Sequence, residues 1–357
     1  MKNTYRFIDC FFADKDSSSA CLITSRSNRY YLTGVSSSDG LVFVTREKVY
    51  LIVDFRYFEI ADQNAFSGVE VIHASGRFSG VVKEIVAKHC IKCVYIEDTQ
   101  MCVSDFERYK SIFSDLRFDF LGTLLEEVRC LKTAEEIEFI RSAQKITDKA
   151  FEHILNYINA YRTESQVALE LERYMRLNGA DGIAFDTICV SGTKSSLPHG
   201  VPSDINLSEN SFITMDYGAK YRGYCADMTR TVVLGRADDE MIKVYNTVFE
   251  AQAMALEKIK SGVSGDIVDA AARDHIYSNG YKGCFGHSTG HGLGIDVHET
   301  PSFSPNYKKA IPSGAVLSVE PGIYIEGRFG VRIEDIVVVR DDGYENLTKS
   351  KKNLIEL

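Results

Sequence analysis

Apolar positions in the first third of the chain fall into short blocks parted by polar turns. Leu41–Thr45 and Val49–Val53 are two such blocks with only 46–48 between them, and they predict a pair of strands. Asp54-Phe-Arg-Tyr57 then leads into a helical stretch through Ala65. Val81–Lys88 has helical spacing, and the β-branched run Cys93–Ile96 reads as a strand closed by Glu97 and Asp98. This alternation of short strands and helices up to about residue 125 contains no cluster of potential ligands. A structural or substrate-shaping domain, 1–125, is expected from it.

A boundary falls between Gly122 and Lys132, and the period then lengthens. Thr133-Ala-Glu-Glu136 is a capping box, because the Thr hydroxyl accepts from an early helix N–H while Glu136 reaches back. Ile137, Ile140, Ile146, Ala150, Ile154 and Ile158 mark one face at helical period. Thr163-Glu-Ser-Gln166 is a second capping box, and Asn178-Gly179 is a suitable stop for the helix it opens. Two further helices are predicted at about 238–260 and 266–279, the latter stopped by Asn279-Gly280.

Two stretches in this second domain, 126–357, repeat one pattern. The first runs Phe212-Ile-Thr-Met-Asp216-Tyr-Gly218, through Gly223, to Asp227 and Thr231–Val233. The second runs Val316-Leu-Ser-Val-Glu320-Pro-Gly322, through Gly330, to Glu334 and Ile336–Val338. Each reads apolar strand, carboxylate, glycine-bearing turn, carboxylate, apolar strand, and each follows helical segments. Two similar αβ halves around a shared site are expected.

The bulk numbers narrow the class. A chain of 357 residues suits two domains, and 45% apolar with 25% charged residues is ordinary for a soluble globular protein. The longest apolar runs, such as Ile336–Val339, fall far short of the roughly 18 residues a bilayer span requires. Asp9 interrupts Ile8, Phe11 and Phe12 and no small-residue cleavage site follows, so no secretory signal is expected. A net charge of −9 argues against a nucleic-acid-binding surface. The nine cysteines include one C-x-x-C, Cys90 and Cys93 beside His89, with no second pair at metal-binding spacing. Plain buried thiols in a reducing cytosol are the expectation.

Within each repeat the paired acids lie 11 and 14 residues apart, so Asp216 with Asp227, and Glu320 with Glu334, are expected to face each other across a hairpin. Like charges in apolar strands are costly, and a bound cation is the natural compensation. Of the eight histidines, His287, His291 and His298 fall in one stretch with Gly286, Gly290, Gly292 and Gly294, glycines expected to let groups crowd a small site. His199 sits in a Pro198-His-Gly200 loop, whereas His73, His89, His153 and His275 read as ordinary residues.

The order Asp216, Asp227, His291, Glu320, Glu334 resembles the metal-binding pentad of the pita-bread metallopeptidases, in the branch of aminopeptidase P and prolidase. Met-Asp-Tyr-Gly, Cys-Ala-Asp-Met-Thr-Arg, Ser-Thr-Gly-His-Gly-Leu-Gly, Val-Glu-Pro-Gly-Ile-Tyr and Val-Arg-Ile-Glu-Asp carry the likeness over about 130–350. Asn28–Gly34 and Asp54–Tyr57 resemble that branch's N-terminal domain. The implied fold class is α+β: a pita-bread domain of two pseudo-repeated αβ halves around a curved antiparallel sheet, behind a creatinase-like α/β domain. The implied activity is hydrolysis of an N-terminal Xaa-Pro bond through a metal-bridging hydroxide, with a dipeptidase as the alternative and a non-catalytic binding module a more distant one.

By the same resemblance Asp216 chelates one metal, Asp227 and Glu334 bridge both, and His291 and Glu320 complete the second. Glu320 also accepts a proton, while His199 and His298 contact substrate. His287 and Arg332 line the proline pocket, and Tyr324 and Thr229 support them. An ordinary salt bridge from Arg332 to Glu334 or Asp335 is the bland alternative. Oxygen-rich ligation favours two Mn²⁺ ions, with Zn²⁺, Co²⁺ or Fe²⁺ compatible. Peptides with proline in second position are the expected partners, in a homodimer whose edge includes Asn28–Gly34.

Overall fold

The structure is a computed structural model that describes residues 2–357, and the chain divides into two compact units, up to Arg129 and from Cys130 onward. The first unit runs α1 (Lys2–Phe11), β1 (Ser19–Ile23), α2 (Arg26–Thr33), β2 (Leu41–Val44), β3 (Val49–Val53), α3 (Phe55–Asn64), β4 (Val69–His73), α4 (Phe78–Lys88), β5 (Cys93–Ile96), α5 (Val103–Ile112), β6 (Arg117–Phe120) and α6 (Leu124–Cys130). Its sheet has the order β4-β3-β2-β1-β5-β6. The two predicted strands pair antiparallel with Leu41 opposite Ile52. Asp54 caps α3 by accepting from the Arg56 N–H. Leu22, Leu41, Phe43, Ile52 and Val94 form the core between sheet and helices.

Two sequence expectations change here. Asn28, Arg29, Tyr31, Leu32 and Thr33 are buried in α2, so most of the stretch offered as a dimer edge is already used inside its own unit. The thiols are not all buried: Cys93 is buried and accepts from Arg117, while Cys10, Cys90 and Cys102 are exposed. His89 meets the Tyr50 hydroxyl. All nine cysteines are free, and no described helix is long and apolar enough to cross a membrane.

The second unit opens with α7 (Ala134–Ile154) and α8 (Glu164–Leu177), each begun by the capping box read from sequence. Ile158 lies beyond the end of α7, in the turn toward α8, yet is buried with that helix's apolar face. There follow β7 (Gly182–Ile183), β8 (Ile188–Ser191), a 3₁₀ turn (Gly192–Ser196), β9 (Ser211–Tyr217), β10 (Ala219–Tyr221), β11 (Tyr224–Cys225) and β12 (Met228–Leu234). The second half has α9 (Asp239–Leu256), α10 (Gly265–Ile276), β13 (Gly290–Gly292), β14 (Glu299–Phe303), β15 (Val316–Val319), β16 (Gly322–Ile325), β17 (Phe329–Arg332), β18 (Asp335–Arg340) and β19 (Gly343–Asn346). Both α9 and α10 stop short of their predicted ends. The Asn279-Gly280 stop closes a π turn, Tyr277–Tyr281, in which Gly280 takes φ 93°.

Each half buries a helix pair on a ladder. Phe151 and Leu171 meet Ile213, Met215 and Val232 in one core. Val248 and Val268 meet Leu317, Val319 and Val337 in the other. The ladders, β12-β9-β8 and β14-β13-β15-β18-β19, are antiparallel. They meet where the Glu334 N–H donates to Thr229 O at 3.1 Å.

Candidate metal centre

The acids gather where the two ladders meet, and their registers differ. In the second half Val319 pairs with Asp335, so Glu320 and Glu334 occupy the next opposed positions beyond the ladder, as expected. In the first half Asp216 pairs with Thr229, not with Asp227. β10 and β11 continue the same hairpin in register and turn at Arg222-Gly223, which leaves Asp227 just outside β12, two residues short of the position opposite Asp216. Two glycines permit the close approach. A Cβ on Gly218 would stand 1.9 Å from Ala226 O, and one on Gly290 the same distance from Ser318 O. Gly292 and Gly294 are similarly crowded, but nothing approaches Gly286, where the crowding expectation fails.

Asp227, His291 and Glu334 offer ligand atoms that all lie within 4.8 Å of one another. His291 Nε2 is 3.6 Å from Asp227 Oδ2 and 3.3 Å from Glu320 Oε1. Its Nδ1 is 3.1 Å from Gly292 O. A carbonyl oxygen only accepts, so Nδ1 carries the proton and the Nε2 lone pair faces the acids, the tautomer a metal-binding imidazole requires. Asp216 stands apart from the group of three. Its Oδ2 is ion-paired with the Arg332 guanidinium at 2.7 Å. The Thr229 hydroxyl donates to Glu334 Oε2 at 2.7 Å and Ser318 to Glu320 Oε1 at 3.2 Å.

Three oxygens, Asp216 Oδ1, Asp227 Oδ1 and Glu334 Oε1, are buried with no hydrogen-bond partner. Burial, with Glu334 and the other acids adding, pushes the Asp227 carboxyl well above its ordinary range. Burial and the charges of Glu320 and Asp216 do the same to Glu334, with Arg332 and Thr229 only partly opposing. Glu320 is raised by burial, with His287 and Arg332 pulling it back. Burial lowers His287 and His291, and His298, only partly sunk in the site, is lowered by desolvation with His291 adding, so neutral rings are favoured. Buried carboxylates that repel one another, three of them each with one partnerless oxygen, beside an imidazole lone pair are the donor set a divalent cation satisfies.

The acids line a cavity of about 540 Å³. His287, His291 and Arg332 form its wall, and exposed His199 and His298 line it as well. Tyr324 lies behind that wall, joining Arg332 and His287 Nε2 through 2.8 Å hydrogen bonds. The bland expectation for Arg332 does not hold, because Asp335 is taken by Arg230 and Lys352 and Arg332 reaches Asp216. The four remaining histidines lie elsewhere, His153 against Glu170 and His275 against Glu250.

Sequence reading missed several neighbours. Phe185 and Ile188 supply apolar wall to the cavity. Arg230, about 1% exposed, donates to Glu334 O and to the Asp335 carboxylate, so it braces the junction of the ladders. A charged residue inside an apolar strand was its one sequence mark, since such a residue must find a partner.

Comparison with known proteins bears on this geometry. Residues 138–341 match metallopeptidase family M24 and residues 12–131 match the creatinase/prolidase N-terminal domain. An uncharacterised peptidase of Bacillus subtilis, YqhT, is 43% identical over 336 residues, covering 94% of this chain and 95% of that protein. The solved Xaa-Pro dipeptidase of Bacillus anthracis superposes with a TM-score of 0.95 at 38% identity, over 99% of this chain and 100% of that one. The X-Pro aminopeptidase of Thermotoga maritima gives a TM-score of 0.90 at 38% identity, over 95% and 97%.

Proposed function

Because the chain belongs to metallopeptidase family M24, with the creatinase/prolidase domain ahead of the catalytic one, we propose that it is an aminopeptidase that hydrolyses the bond on the amino side of proline. The carrying observation is the set of three partnerless buried carboxylate oxygens at one cavity, two of them on residues whose ligand atoms close on His291. Asp216, Asp227, His291, Glu320 and Glu334 hold two divalent ions, Mn²⁺ first among the metals that suit one nitrogen and many oxygens. When bound, the ions polarise the scissile carbonyl and lower the pKa of a water toward neutrality.

The chain's own groups do the rest. Glu320, whose carboxyl is raised by burial, takes a proton from the attacking water and delivers it to the proline nitrogen, which leaves as a secondary amine. His199 and His298 donate to the carbonyl oxygen as it gains charge. His287 has both nitrogens occupied: its Nδ1 faces Ser288 O and its Nε2 takes the Tyr324 hydroxyl. It therefore offers ring carbon to the cavity and, with Phe185 and Ile188, suits a pyrrolidine ring. An Xaa-Pro bond has no N–H, so a site that acts on the carbonyl loses nothing at proline.

Arg332 favours an aminopeptidase over a strict dipeptidase. It is the one Lys or Arg among the described residues lining the cavity. Its guanidinium is already spent on Thr229, Pro198, Tyr324 and Asp216. A dipeptidase needs a cation free to receive the carboxylate of proline. The dipeptidase reading stays second, favoured by the name of the Bacillus anthracis relative. Hydrolysis of both Ala-Pro-Ala and Ala-Pro supports the aminopeptidase. Cleavage of Ala-Pro alone replaces it with the dipeptidase, and cleavage of neither overturns both. A cytoplasmic homodimer completes the proposal, the free state of all nine cysteines matching a reducing compartment.

A further inference from the structure

Glu164 is the first residue of α8, about 1% exposed, and does not line the cavity. Its carboxylate is nevertheless filled by the loop that carries His199. Oε1 accepts from the Ser191 N–H at 2.8 Å and the Ser191 hydroxyl at 3.4 Å. Oε2 accepts from the Ser203 N–H at 3.1 Å, the Ser203 hydroxyl at 2.7 Å and Lys194 Nζ at 2.5 Å. Ser191 and Ser203 are the two stems of that loop, so one side chain closes it at its base. Lys194 carries the tie upward, donating also to Val201 O at 2.9 Å.

Elsewhere the loop is held where the Gly330 N–H donates to buried Ser195 Oγ at 3.0 Å, and at a few contacts of its tip. Arg332 donates to Pro198 O at 3.2 Å, and short turns join Leu197 to Lys194 and Gly200 to Leu197. The imidazole of His199 is exposed and makes no hydrogen bond to any described residue. Its position is therefore inherited from the loop backbone, and the stems of that backbone are set by Glu164. Two oxygens can serve donors on both stems at once, and a negative charge at a helix N-terminus is favourable. A glutamine has one acceptor oxygen, so its amide N–H groups would confront either Ser191 or the Ser203 and Lys194 donors.

We propose that Glu164 is a positioning residue for catalysis, holding the 191–203 loop so that His199 stands where it can meet the substrate carbonyl. This rests on the role given to His199 above. The test is a double-mutant cycle on the metal-loaded enzyme with Ala-Pro-Ala, comparing E164Q, H199A and the double variant. E164Q is expected to lower kcat/KM about 10–100-fold, the scale of an ångström-sized misplacement, with metal content unchanged. In the H199A background the same change is expected to cost no more than about twofold, because the positioned group is gone. A full-strength loss in that background would overturn the positioning role alone. An H199A variant as active as the parent would overturn both this role and that of His199. If E164Q fails to fold, S203A replaces it. Losing one neutral donor to Oε2 should cost about 3–10-fold, and again only while His199 is present.

Discussion

Asp227 Oδ1 is buried without a partner, and Glu334, Asp216 and Glu320 all add negative charge around it. Replacing Asp227 by Asn keeps the shape and removes one charge. The metal-stripped D227N protein should therefore melt at a higher temperature than the stripped parent, because it relieves the repulsion among the buried acids. The same variant should neither retain metal nor cleave Ala-Pro-Ala. Thermal unfolding with and without Mn²⁺, metal analysis and a peptide assay check the three parts, and a D227N enzyme with parental turnover would remove Asp227 from the proposed ligands. At this scale the sequence was informative wherever residue type alone carries chemistry. Acids in apolar strands and histidines among glycines are conspicuous. The tautomer of His291 and the four bonds that occupy Arg332 were not readable, since both depend on groups distant in the chain.

Helices α7 and α8 show how far local rules reach. Both capping boxes form as read, Thr133 with Glu136 and Thr163 with Gln166, because every atom involved lies within four consecutive residues. T133A should cost about 1 kcal/mol in urea unfolding, the usual worth of such a cap. The packing of α7 on α8 adds a pH dependence. Glu170 on α8 accepts hydrogen bonds from Arg173 and from His153 on α7. Arg173 is the larger influence and burial opposes it, with His153 adding to the net fall to about 2. An acid held below its ordinary 4.5 contributes stability that is complete above that value and lost as pH falls toward about 2. E170Q should thus melt lower than the parent at pH 6, and the gap should close as the pH approaches 2. A gap constant with pH would show that the ionised carboxylate contributes nothing. Strand register was less legible than capping. Asp216 faces Thr229 because the hairpin turns at Arg222-Gly223, and that turn sets one register through β10 and β11 to β9 and β12.

For the whole molecule, the two ladders of the second unit bring together acids more than a hundred positions apart, and burying them leaves three oxygens without partners. Chelation should therefore abolish turnover and lower the melting temperature together, and Mn²⁺ should restore both. At a metal concentration a hundredfold above Kd the recovered stability would be about 2.7 kcal/mol for each ion bound. Restored melting without restored turnover would separate a structural ion from a catalytic one. Arg230 matters at this scale as well, because its hydrogen bonds to Glu334 O, Asp335 and Ser350 O join the ladders to the C-terminal segment.

By itself the sequence determined the starts of α7 to α10, the repeated strand–acid–turn–acid–strand halves and the identity of the candidate donors. These follow from the period of burial, from caps and from the cost of charge in apolar strands, all of which act over a few neighbouring residues. Only the tertiary structure decided which acid opposes which, that Arg332 pairs with Asp216, and that Glu164 closes the loop bearing His199. The reason is physical. A buried charge takes whichever partner the packing of distant segments brings within hydrogen-bond reach, and no local pattern records that choice.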